Sequence, residues 1–114
     1  MLLYALVAFG IGALGGLVLA NSVLRRQFAS WAISLLHAAL GATGLALLIV
    51  ALADSAANPA KVAFGLLLVA ALAGFYLASV HLRKAIPPRG AVFLHAGLAV
   101  AGFLTLAGTA LNMI

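Results

Sequence analysis

Apolar positions fill this chain in four long blocks, separated by three short polar breaks. Leu2 to Leu24, Ala29 to Ala53, Val62 to Val80 and Ala91 to Ile114 each run without a charged residue. A helix needs about 20 mostly apolar residues to cross a hydrocarbon layer of about 30 Å, and all four blocks approach or exceed that length. The breaks read RRQ at Arg25 to Gln27, ADSAANPAK at Ala53 to Lys61, and HLRKAIPPRG at His81 to Gly90. Asn58-Pro59 and Pro87-Pro88 punctuate the chain before the third and fourth blocks. Connections this short make sequential helices antiparallel neighbours. The pattern predicts an all-α polytopic membrane protein: a four-transmembrane-helix, up-down bundle forming a single membrane domain over residues 1–114.

Composition strengthens the membrane assignment. The chain is 68% hydrophobic and 6% charged, with a mean hydropathy of +1.34, far from the roughly half-apolar usage of water-soluble domains. Arg25, Arg26, Arg83, Lys84 and Arg89 lie in the first and third loops, whereas the second has Lys61 opposed by Asp54. Cytoplasmic loops carry the Lys/Arg excess, so both termini are expected outside, in an inner (cytoplasmic) membrane of bacterial type. The first block lacks the basic region that precedes a signal peptide's apolar core and is kept as a helix. A net charge of +5 gathered at one face suits lipid or an anionic cofactor, and no nucleic-acid partner is expected. The chain has no cysteine, which removes disulfides, thiolate metal sites and thiol catalysis together.

The two histidine-bearing runs, SLLHAAL at Ser34 to Leu40 and FLHAGL at Phe93 to Leu98, lie 58 positions apart. The offset carries along the chain without a gap. ALGGLVLANSVLRR at Ala13 to Arg26 lies over ALAGFYLASVHLRK at Ala71 to Lys84, and LLHAALGATGLALL at Leu35 to Leu48 over FLHAGLAVAGFLTL at Phe93 to Leu106. We read a duplicated helical hairpin, with repeat 1 at residues 1–53, a connecting loop at 54–60 and repeat 2 at 61–114. Each repeat crosses twice, so the copies share a topology and are related by a pseudo-twofold axis along the membrane normal.

That symmetry sets His37 and His95 at one depth, about two turns or less from the starts of the second and fourth helices. Those helices occupy diagonal corners of the bundle, so inward-facing imidazoles would meet across its axis. Gly41 and Gly44 follow His37 on one helical face, and Ala99 and Gly102 follow His95. Small residues usually mark close helix contact, as for Gly12 and Gly16, spaced GxxxG. Beside an inward histidine they can also clear a slot for something flat. Two histidines without cysteine or a nearby carboxylate do not complete a zinc site, and hard cations need oxygen ligands. Haem needs only two axial ligands, because its macrocycle supplies the other four. Arg25, Arg26, Arg83, Lys84 and Arg89 lie at the same end, where anionic propionates would be held.

The HAAL and HAGL histidines with their small-residue faces resemble the small four-helix membrane b-type cytochromes. Such proteins often carry two haems on four histidines; this chain departs from them in having one symmetric pair, so one haem b per chain is expected, with His37 and His95 as its axial ligands. The resemblance implies electron transfer with quinone or a partner redox subunit. It implies an electron carrier or redox subunit more than an independent enzyme, acting in a larger membrane complex or a homo-oligomer.

The remaining polar residues suggest no catalysis. His81 stands where the other repeat has Val23, beside Arg83, and reads as a solvated interfacial side chain, with assistance to a propionate, a quinone carbonyl or proton uptake as the alternative. Asn21 and Ser79 cap or bridge helices, whereas Thr43, Thr105 and Thr109 satisfy their hydroxyls on their own helices. Trp31, Tyr4 and Tyr76 read as interfacial anchors. Two other readings stay open. The histidines could each hydrogen-bond a neighbouring helix through Ser34, Thr43 or a carbonyl, in an accessory or structural subunit without cofactor. A small transporter or channel is the third reading, weakened because the only acid, Asp54, lies outside the spans.

Overall fold

A computed structural model of the chain describes residues 1–54 and 58–114. Four helices account for nearly all of it: α1 (Leu2–Leu24), α2 (Trp31–Ala53), α3 (Asn58–Leu82) and α4 (Arg89–Ala110). All four are long and apolar enough to cross a membrane, and only 17% of each apolar window is buried inside the bundle. Leu14, Leu17, Phe75 and Leu104 are each more than 60% exposed. Apolar surface this extensive is what a membrane-spanning bundle would present to lipid.

The helix boundaries follow local chemistry more closely than the apolar blocks do. The second helix, expected from Ala29, begins at Trp31, because the Ser30 hydroxyl accepts a hydrogen bond from the Ile33 N–H at 3.4 Å and caps it. The third, expected from Val62 to Val80, extends over Asn58–Leu82. Asn58, Pro59 and Ala60 therefore open this helix and do not belong to a connecting loop; proline in a first turn gives up only an N–H that has no helical partner. The remainder of that loop, residues 55–57, lies outside the described residues. The fourth helix starts at Arg89 after the extended Pro88, and ends at Ala110 short of the expected Ile114.

Three helices end in the same way. Arg26, Lys84 and Asn112 adopt left-handed φ of 60°, 57° and 57°. The Arg26 N–H donates to the Val23 carbonyl and Gln27 N–H to Ser22; Lys84 donates to His81 and Ala85 to Val80; Asn112 donates to Thr109 and Met113 to Gly108. This crossed pair of bonds satisfies carbonyls that a helix terminus otherwise leaves open.

Close approaches pair Phe9 with Gly44, Gly12 with Leu40 and Gly16 with His37 in the first hairpin, and Leu67 with Gly102 and Gly74 with His95 in the second. Numbers rise on one helix as they fall on its partner, so both hairpins are antiparallel. The hairpins join through α1 with α4 and, least extensively, α2 with α3; α2 and α4 stand diagonally without direct backbone approach among the described residues. Ala5, Leu48, Ala63, Leu67 and Leu106 form the closed core at the end remote from the basic loops. Leu48 and Leu106, 58 positions apart, are the largest fully buried side chains.

Two measurements check this account. Leu106→Ala should lower stability, read by denaturing-detergent titration in mixed micelles, by about 1–3 kcal/mol from lost packing, while exposed Leu104→Ala changes it little, because lipid replaces its contacts. Lys84→Gly should raise stability by about 0.5–1 kcal/mol, since glycine adopts a left-handed φ without the Cβ clash.

Candidate functional site

The core closes one end of the bundle, and the other end is hollow. A cavity of about 650 Å³ lies between the hairpins, bounded almost wholly by apolar side chains, with Phe9, Leu45, Leu67, Val100 and Phe103 toward the core. His37 and His95 both line it, with ring centroids 6.0 Å apart and planes at 82°. Each is the seventh residue of its helix, so each lies about 9 Å from the helix start at 1.5 Å per residue.

The two imidazoles are held alike. His37 Nδ1 is 2.8 Å from the Gly12 carbonyl oxygen, and His95 Nδ1 is 2.7 Å from that of Ala70. A carbonyl only accepts, so Nδ1 carries the proton in both rings and donates it across the hairpin. In the neutral ring each Nε2 then keeps its lone pair. Neither Nε2 makes a hydrogen bond among the described residues, and neither is sealed from the cavity.

The seats of the rings are glycines. A Cβ added to Gly16 would meet His37 Cε1 at 3.0 Å, and one added to Gly74 would meet His95 Cε1 at 3.0 Å. Gly12, Gly16, Ala70 and Gly74 are the positions that sequence reasoning missed as part of the site. The GxxxG spacing pointed only to close helix packing; the recurrence of Gly16 as Gly74 under the repeat offset was the available signal.

The other expected site residues divide. Gly41 and Ala99 line the cavity, and a Cβ on Gly41 would meet nothing within 4 Å. Gly44 and Gly102 do not line it. Their Cβ positions would fall 2.8 Å from the Phe9 ring and 2.7 Å from Leu67 Cγ. These two glycines accommodate large side chains within each hairpin, and a cofactor slot is not what clears them. Arg25, Arg26, Arg83, Lys84 and Arg89 are exposed at the hollow end. Arg89 donates through Nη2 to the Leu24 carbonyl at 3.2 Å, tying α4 to the end of α1. Arg83 donates through Nε to Ser79 on its own helix.

His81 departs from the solvated reading. Its ring stacks on Phe28 with centroids 4.4 Å apart and meets Trp31 edge-on at 3.9 Å, and its Nε2 is buried without a partner. The aromatic neighbours come from the first loop and the start of α2, so no local pattern around His81 announces them. Ser79 bonds the Tyr76 carbonyl on its own helix and bridges to no other helix among the described residues, while Thr43, Thr105 and Thr109 return their hydroxyls to carbonyls four residues back, as expected.

No group of three or more histidine, cysteine or acidic side chains gathers to hold a metal ion among the described residues. Compared with known proteins, the chain matches no family model, no curated protein and no solved structure. Its own geometry brings together two imidazoles, each held through Nδ1, at one apolar cavity.

The tautomer is directly measurable. Nitrogen-15 spectra of histidine-labelled protein in micelles should show His37 and His95 protonated at Nδ1 and bare at Nε2. Protonation at Nε2 in either ring would remove the free lone pair from the site.

Proposed function

We propose that the chain is a membrane b-type haem protein that binds one haem between His37 and His95 and transfers electrons within the bilayer. The observation that carries this reading is the matched pair of cavity-facing imidazoles, each anchored through Nδ1 and free at Nε2. Anchoring through the second nitrogen is the usual way for a protein to orient a ligating histidine and raise its basicity. The 6.0 Å between ring centroids supports the reading by placing the two imidazoles within reach of one central ligand.

Two histidines alone leave most metals short of donors, and a macrocycle that brings four of its own removes that shortage. The cavity volume of about 650 Å³ falls within the range of roughly 300–1,000 Å³ that holds cofactor-sized ligands. Haem supplies reversible one-electron iron chemistry when bound. This chain's residues orient the imidazoles, exclude water with Phe9, Leu45, Leu67 and Phe103, and set positive charge at the end nearer the histidines. Arg25, Arg26, Arg83, Lys84 and Arg89 would hold the propionates there. On this reading both termini face outward and the basic loops face the cytoplasm of a bacterial inner membrane. With the histidines about 9 Å from one face of a layer of about 30 Å, exchange of electrons needs quinone or a partner redox subunit.

Absorption spectra of detergent-purified protein, oxidised and then dithionite-reduced, with pyridine haemochrome quantification, test the proposal. About one haem per chain with sharp low-spin bands is expected. His37→Ala and His95→Ala should each abolish binding while the helical circular dichroism persists. Gly74→Ala, which crowds the His95 ring, should weaken binding about tenfold or more. A protein that stays colourless when haem is supplied would return both histidines to a structural role stapling their hairpins, in an accessory subunit.

A further inference from the structure

Each histidine fastens its own hairpin, but at the hollow end no core joins one hairpin to the other. Apolar contact between helices gains little over contact with lipid, so fastening there is left to specific contacts. Two are present, and they start from equivalent positions. Trp31 and Arg89, 58 places apart, are the first residues of α2 and α4, and each reaches across to the last turn of the other hairpin's first helix.

The chemistry of the two contacts differs. The crossed bonds that end α1 engage the Ser22 and Val23 carbonyls. The Leu24 carbonyl beyond them accepts from Arg89 Nη2 at 3.2 Å, and a guanidinium suits the negative end of a helix. On the opposite seam Trp31 meets the His81 ring edge-on with centroids 3.9 Å apart, and Phe28 stacks on the same ring at 4.4 Å. His81 contributes its ring to this contact and not its Nε2, which is buried without a partner.

Together with the histidine bonds, these contacts close a circuit. His37 ties α2 to α1 through the Gly12 carbonyl, Arg89 ties α4 to α1, His95 ties α4 to α3 through the Ala70 carbonyl, and Trp31 ties α2 to α3. Six places separate Trp31 from His37, and Arg89 from His95. That is about one and two-thirds helical turns, so the two residues of each pair project toward different neighbours. The diagonal helices α2 and α4 make no direct backbone approach among the described residues, so the separation of their imidazoles is transmitted through α1 and α3.

We propose that these four ties form a girdle around the cavity that sets the separation of His37 and His95, with Arg89, Trp31 and His81 as positioning residues. The girdle belongs to the chain with or without haem; that it sets the geometry of a haem rests on the reading above.

The chain has no cysteine, so nitroxide labels can be placed in chosen pairs on the purified protein in detergent. Leu36 and Leu94 are exposed, equivalent in the repeat and adjacent to His37 and His95. Labels on Leu36→Cys with Leu94→Cys report the separation of α2 and α4 at the histidine level by double electron–electron resonance. Labels on Ala46→Cys with Leu104→Cys, also exposed and equivalent, report it beside the core residues Leu48 and Leu106. One narrow distance is expected at each level. Arg89→Ala and His81→Ala should each lengthen and broaden the histidine-level distance and leave the core-level distance unchanged. His81→Phe, which keeps a ring for Phe28 and Trp31, should restore the narrow distance. Variants on two seams keep the comparison available if one of them aggregates. A histidine-level distance unchanged in the folded alanine variants, a His81→Phe distance as broad as that of His81→Ala, or equal loosening at both levels overturns the proposal. Haem content is read from the absorbance of the same samples. A haem-free protein whose distance depends on Arg89 and His81 would sink the haem reading alone; a haem-loaded protein whose distance ignores them would sink this inference alone.

Discussion

The hydrogen bond from each histidine Nδ1 to a carbonyl on the preceding helix is the constraint on which the site depends. A helical carbonyl already serves its own helix, yet it has a second lone pair and can accept an imidazole N–H without breaking the ladder. Part-buried between apolar helices, this bond meets little competition from water, so it both joins two helices and fixes which nitrogen donates. The second effect matters more for function. It turns a flexible, two-faced side chain into one that presents a single lone pair in a single direction. Glycine at the next turn, Gly16 or Gly74, lets the ring lie close enough to the helix for the bond to form.

Around that bond the bundle divides its length between two tasks. Toward the loop after α2, Ala5, Leu48, Ala63 and Leu106 close the interior without residual exposure. Gly44 and Gly102 let Phe9 and Leu67 fill the space above them. Toward the basic loops the hairpins diverge around the cavity. Packing within hairpins is dense and packing between them sparse, so each histidine can be fixed by its own hairpin while the space between the pair stays open. Each hairpin supplies one histidine, its carbonyl partner and its glycine seat, so the pair forms only where the two hairpins meet.

The ends of the helices stabilise this arrangement by local means. Ser30 caps α2, and crossed carbonyl bonds finish α1, α3 and α4. At Arg26 and Lys84 the left-handed position is filled by a basic residue and not by glycine. Both side chains are exposed at the bundle's hollow end.

Much of this was legible in the chain itself. A bilayer leaves only helices or closed barrels to satisfy the backbone, so four uncharged apolar runs with short breaks determine four helices. The 58-residue offset between His37 and His95 marks them as equivalent positions before any contact is known. Tertiary structure decided what equal depth could not. Whether Gly41 or Gly44 clears space depends on where Phe9 projects from another helix, and whether His81 is solvated depends on Phe28 and Trp31 from a distant turn. Small residues read alike in sequence whether they receive a neighbouring side chain or leave a gap, because the difference lies in the opposite helix. Periodicity assigns a residue to a face; only the packed partner determines whether that face is filled, and with it which nitrogen of a histidine is left free.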